Sequence, residues 1–93
     1  MVIIYIICIK DTISQSLTST EQALFFFQEV LYNVIVNTVV IDFSWVGFMS
    51  SPFAKQYVIC KNQRKTRKIM EINMSNDINT LIKSNLQEIE IAS

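Results

Sequence analysis

The stretch from Val39 to Tyr57, VVIDFSWVGFMSSPFAKQY, constrains the fold more than any other, because three chemical signals follow one another along it. Val39, Val40 and Ile41 make an apolar, β-branched run, the pattern of a buried strand from Thr38 to Phe43. Asp42 ends that run abruptly. A short loop follows with the single tryptophan, Trp45, and the single glycine, Gly47, where the tight turn is expected because glycine accepts positive φ. Ser51 and Pro52 then open a helix: a serine N-cap supplies an acceptor for an orphan amide, and proline at the first helical position loses an amide that had no partner. Phe53, Ala54, Tyr57 and Val58 fall on one buried side of it. In open α/β sheets functional side chains gather beyond the carboxyl ends of strands. Asp42, Ser44, Gly47, Ser50 and Ser51 are therefore the candidate site residues. For Asp42 a plainer role stands beside this one, a carboxylate that accepts backbone amides and braces the loop.

A chain of 93 residues has surface for one core, so one domain over residues 1–93 is expected. Hydrophobic residues make up 51% and charged residues 17%, which provides a core and excludes the composition of a disordered chain. The formal net charge is zero, so nothing draws the whole chain to nucleic acid or an acidic membrane. Zero net charge also removes repulsion between copies, which leaves a homodimer open. Cys8 and Cys60 sit among apolar neighbours without C-x-x-C spacing, as reduced thiols of a cytoplasmic protein do. With no histidine, neither a Cys/His zinc site nor a histidine-based triad can be built, and no metal or cofactor is expected. The opening VIIYIICI is too short for a membrane span and lacks the positive flank of a signal peptide. From Val2 to Ile9 it suits a strand covered on both faces, inside the sheet.

Around Thr12 to Ser16 a second short strand could return beside the first. LTSTEQ then offers two overlapping capping boxes, Thr18 with Glu21 and Ser19 with Gln22. The helix they start should run to about Asn33, burying Ala23, Leu24, Phe27, Val30, Leu31 and Val34, with Phe25 as the exposed member of the Phe25–Phe26–Phe27 run. Ile69 to Met74 reads as a further strand. Ser75 caps a last helix whose Ile78, Leu81, Ile82, Leu86 and Ile89 share a face, and whose end at Glu88 to Ile91 stays open.

Between Lys55 and Lys68 the chain carries Lys55, Lys61, Arg64, Lys65, Arg67 and Lys68 and no acid. Cations there oppose a helix dipole, each by about 0.3–1 kcal/mol at low salt. The alternative function is nucleic-acid or anion binding through Lys61, Arg64, Lys65, Arg67 and Lys68, although aromatic interleaving of the kind single-strand binders use is missing. An enzyme is not expected: a glycine-rich phosphate loop and a nucleophile with a recognisable base are both lacking.

The order strand, strand, helix, strand, helix, strand, helix implies a small α/β domain with a mixed sheet of about four strands and three helices. LTSTEQA from Leu17, VVIDFSWVGFMSSPFA from Val39 and INMSNDINTLI from Ile72 together resemble the STAS-like family of unknown function, over about Thr12 to Leu86. That family is similar to the STAS domains of sulphate transporters and anti-sigma-factor antagonists. The resemblance implies a regulatory protein–protein interaction module, and a kinase or ATPase of the histidine-kinase-like superfamily as partner. In the antagonists the corresponding loop is like F-M-D-S-S-G-L, its second serine phosphorylated by the partner kinase. Here FMSSPFA puts Ser50 at the acid, Ser51 at the first serine and Pro52 at the phosphoacceptor. The resemblance therefore implies docking without the usual phosphorylation, with Ser50 and Ser51 as displaced phosphoacceptor candidates. Asp42 matches the family pattern.

Overall fold

Val39, Val40 and Ile41 do form the middle of the sheet. A computed structural model describes residues 4–33, 38–63 and 68–92, in which β1 (Ile4–Cys8), β3 (Thr38–Asp42) and β5 (Lys68–Ile72) pair in the order β1-β3-β5. Both pairings are parallel, with Ile6 opposite Val40 and Val40 opposite Met70. Between them lie α1 (Ile9–Thr12), β2 (Ser16–Leu17), α2 (Thr20–Phe25), β4 (Phe48–Met49) and α3 (Ser51–Gln63), and α4 (Asn76–Ala92) follows β5. β2 and β4 make a second, two-stranded parallel sheet. The protein is a small α/β fold with two parallel sheets among the described residues, where the sequence suggested one mixed sheet. Helical crossovers after β1 and β3 explain the difference, because each returns the chain to the starting end of the sheet.

α3 packs between α2 and α4, and Ala23, Tyr57, Val58, Ile78 and Ile82 of these helices share one buried core with Val39 and Ile41 of the large sheet. The face of Val39 and Ile41, both fully buried, also carries Glu71, which reaches Tyr57 and Lys61 of α3. Ile4, Tyr5 and Ile6 of β1 are exposed, contrary to the expectation of a strand covered on both faces. β1 is an edge strand: Ile4 and Ile6 lie on the face that the helices leave uncovered among the described residues, and Tyr5, on the face of Val39, is exposed at the rim. No strand at Thr12 to Ser16 returns beside β1. The Thr12 hydroxyl donates to the carbonyls of Cys8 and Ile9, closing one helical turn that buries Ile9, and β2 then pairs with β4.

Of the two capping boxes, Ser19 with Gln22 forms, each side chain accepting the other residue's amide. The helix continues to Asn33 as expected, but widens to a π-turn over Phe26–Val30 and tightens to a 3-10 turn over Leu31–Asn33. A π-turn takes up one extra residue. Phe26 and Phe27 are both buried, their rings edge to face at 5.6 Å, while Phe25 is exposed as expected. Val34 lies outside the described residues. Tyr57 is the centre of the aromatic core, 5.4 Å from Phe27, 6.0 Å from Phe43 and 6.2 Å from Phe53 between ring centroids.

The cap of α3 sits one residue earlier than the Ser-Pro rule places it. Ser50 accepts the Phe53 amide on its hydroxyl (3.3 Å) and the Ala54 amide on its carbonyl (3.0 Å), so Ser51 and Pro52 are the first two helical residues. Proline is tolerated there for the same reason as at the first position, since that amide also lacks a helical acceptor. The Ser50 hydroxyl also donates to the Thr18 carbonyl at 2.8 Å, tying α3 to the entrance of α2. Ser50→Ala removes both bonds and should cost about 1–2 kcal/mol, as N-cap losses do. A urea unfolding midpoint for S50A equal to that of S51A would contradict this assignment. Ser75 caps α4 through the Ile78 amide, and the helix continues to Ala92.

Candidate functional site

The loop between β3 and α3 is built on one carboxylate oxygen. Asp42 Oδ1 accepts the Ser44 amide at 2.8 Å, the Ser44 hydroxyl at 2.6 Å and the Asn73 side-chain amide at 3.0 Å. These bonds, the Ser44 hydroxyl first, hold the Asp42 carboxyl below its ordinary pKa of 3.8 and keep it anionic at neutral pH. Asp42 thus fills its bracing role, and the bond from Asn73 ties the ends of β3 and β5 together. The Phe43 amide adds a backbone bond to the Ile72 carbonyl at 3.0 Å.

With Ser44 fixed, the chain reverses immediately. The Val46 amide reaches the Phe43 carbonyl at 3.2 Å, closing a turn in which Trp45 has φ 68°. The turn expected at Gly47 is therefore at Ser44 and Trp45, and Gly47 has no positive φ. Gly47 instead donates its amide to the Gln15 carbonyl at 2.9 Å, and a β-carbon added there meets nothing within 4 Å. Left-handed backbone costs a bulky side chain on the order of 1–2 kcal/mol. Trp45 adopts it with its side chain outward, 79% exposed, and Phe48 in β4 is also exposed. Asn73, the other non-glycine residue with positive φ, suits that conformation better because short amide side chains tolerate it.

Sequence reasoning missed Asn73 and the conformation of Trp45. A signal existed for Asn73: an asparagine directly after an apolar strand commonly makes such a turn. For Trp45 no local signal exists, because glycine two residues later is the better candidate by propensity.

Ser50 and Ser51 stand apart from the Asp42 network. Ser50 is held by α3 and Thr18, whereas Ser51 is exposed. Ser51 lines an open groove of about 660 Å³ with Thr20, Pro52, Lys55, Gln56 and Leu81, between the start of α3 and the side of α4. The basic segment is described only at its two ends. Lys61 forms a half-buried ion pair with Glu71 at 2.7 Å, and Lys68 is exposed at the start of β5. Arg64, Lys65 and Arg67 lie outside the described residues. Glu71 Oε2 also accepts the Tyr57 hydroxyl at 2.7 Å. Burial, reinforced by the Glu71 charge and this bond, pushes the Tyr57 pKa well above its ordinary 10.0. This buried cluster was not legible from sequence, since its members are far apart along the chain and apolar periodicity says nothing of polar pairing.

Among the described residues no three cysteine, aspartate or glutamate side chains stand together as a metal site, and both cysteines are free thiols. No described helix is long and apolar enough to cross a membrane. Comparison with family models, with curated proteins and with solved structures yields no match.

Proposed function

We propose that this chain is a non-catalytic regulatory module that binds a protein partner through the loop after β3 and the start of α3. One observation carries the reading: Trp45 is presented to solvent on left-handed backbone, in a turn that the bonds of Asp42 with Ser44 and Asn73 brace at its base. Strain of this kind persists where surrounding structure over-determines it, and such positions cluster at functional sites. Rigid exposed aromatics are also the usual energetic centre of protein interfaces. Phe48, three residues on in β4, is a second exposed aromatic of the same loop region, and Ser51 and Lys55 line a separate groove at the start of α3.

The resemblance of three sequence blocks to the STAS-like family supports a finer reading. In it the fold is STAS-like, the module acts in the cytoplasm, and the partner is an ATPase or kinase of the histidine-kinase-like superfamily. Ser51 is then the more accessible of the two displaced phosphoacceptors, since the Ser50 hydroxyl is bonded on two sides. The engagement of Lys61 by Glu71 counts against the alternative reading, in which the basic segment binds nucleic acid.

Partner capture from host extract tests the proposal. A Trp45→Ala, Phe48→Ala variant should lose at least about thirtyfold in affinity for the captured protein, while Gln28→Ala on an exposed helical position keeps it. Equal capture by all three proteins would overturn the reading. Trp45→Gly makes a separate prediction: relief of the left-handed strain leaves the fold unchanged or up to about 1 kcal/mol more stable while binding falls. Thermal unfolding and a binding titration on the same sample decide it.

A further inference from the structure

Among the described residues the three-stranded sheet carries helices on the face of Val39 and Ile41 and none on the other. Parallel sheets in soluble α/β proteins are nearly always covered on both faces. On the other face the middle row is Ile6, Val40 and Met70, in register across the strands; Ile6 is 63% and Met70 43% exposed, and Val40 between them is 9% exposed, so the exposed apolar surface is that of the two outer strands. Charges mark its two ends: Lys68 at the start of β5 and Asp42 at the end of β3.

We propose that this face is a self-association surface, on which a second copy stacks sheet to sheet with its strands running the opposite way. The charge pattern selects both the occupant and the direction. A two-fold axis perpendicular to the strands lays Met70 over Met70 of the second copy and brings each Lys68 over the other copy's Ile72. Ile72 is one strand, about 4.8 Å, from Asp42. Each lysine then reaches the opposite aspartate. An axis along the strands would instead lay Asp42 over Asp42, two anions in contact. The Asp42 bonds described above all fall on Oδ1, so among the described residues Oδ2 is available to the lysine. Zero net charge removes the long-range repulsion that would oppose pairing of copies.

Three strands about 4.8 Å apart and five residues long, at about 3.3 Å each, make a plane of roughly 14 by 17 Å. That is small beside the roughly 800 Å² per partner of a standard interface, so the dimer is weak and concentration-dependent. Asp42 borders both this face and the Trp45 loop, but Ile6, Val40 and Met70 lie outside that loop, and the inference holds whether or not the loop binds a partner.

Sedimentation equilibrium from micromolar to millimolar protein tests it. The wild-type mass should rise from 10.8 kDa toward twice that value as concentration increases. Ile6→Lys and Met70→Lys, at positions exposed in the single copy, should each stay monomeric with unchanged unfolding midpoints, and Trp45→Ala should associate like wild type. Lys68→Glu should weaken association at low salt. In a Cys8→Ser background, Met70→Cys copies should cross-link to one another through a short bismaleimide. Wild-type protein that stays monomeric at millimolar concentration would overturn the proposal, as would a dimer that survives both lysine substitutions. Cross-linking of Met70→Cys only to Ile6→Cys copies would overturn the antiparallel arrangement.

Discussion

Tyr57→Ala is expected to lower the unfolding free energy by about 3–5 kcal/mol, the range for truncating a large buried aromatic. Tyr57 has no exposed surface and packs against Phe27 and Phe43 edge to face and against Phe53 in a stack, so alanine leaves a cavity bounded by three rings. A domain of this size commonly has only about 5–15 kcal/mol of stability, and Y57A should be partly unfolded at moderate urea. Tyr57→Phe keeps the rings in contact and removes only the hydroxyl bond to Glu71, a bond to a charged group, for about 1–2 kcal/mol. The two variants therefore separate packing from hydrogen bonding at one position. They also separate in pH. The folded-state pKa of Tyr57 lies above its ordinary 10.0, so the contribution of its neutral form is fully present below pH 10. Above that pH the unfolded chain ionises first, and the contribution falls as pH rises toward the folded pKa. The stability difference between wild type and Y57F should be flat below pH 10 and shrink above it. Urea midpoints for both proteins across that pH would show a constant difference if the hydroxyl were not buried in the way described.

Glu71→Ala is the second large effect, about 2–3 kcal/mol. It leaves the Tyr57 hydroxyl buried without an acceptor, which costs about 1–3 kcal/mol, and strips Lys61 of its partner. The lysine contributes the smaller share, because its side chain is 32% exposed and can extend into water. Lys61→Ala should consequently cost less than Glu71→Ala. A double-mutant cycle between Tyr57→Phe and Glu71→Ala should show a coupling of at least about 0.5 kcal/mol, as direct contacts do. Additive losses would mean that the carboxylate and the phenol act independently.

The sites of these two effects differ in how far sequence exposes them. The buried position of Tyr57 follows from its spacing with Phe53, Ala54 and Val58, and all four are buried. Its bond to Glu71 does not follow, because it spans the end of α3, residues 64–67 and half of β5. The same division runs through the candidate site. Asp42 stands out as the acid that ends an apolar strand, and its link to Ser44 is local enough to be anticipated. Asn73 joins them only because β5 lies beside β3. Gly47 is the natural choice for the turn by intrinsic freedom, yet the turn falls earlier, beside the bonds of Asp42 with Ser44, and Trp45 takes the left-handed conformation. Local propensity is worth only about 1 kcal/mol at one residue, so it does not by itself fix where a turn falls.

By itself the sequence determined the alternation of strands and helices, the buried sides of α3 and α4, the Ser19 and Ser75 caps and the absence of histidine chemistry. Periodicity, capping residues and composition are local properties, and they survive without knowledge of neighbours. Tertiary structure alone decided that β1 lies at an edge, that both sheets are parallel, and that among the described residues no helix covers the second face of the large sheet. An apolar strand looks the same in sequence whether its outer face meets a helix, a second copy of the chain or water. Only the pairing order and the placement of the helices show that Ile6, Val40 and Met70 form a single row, and that Trp45 stands clear of the core.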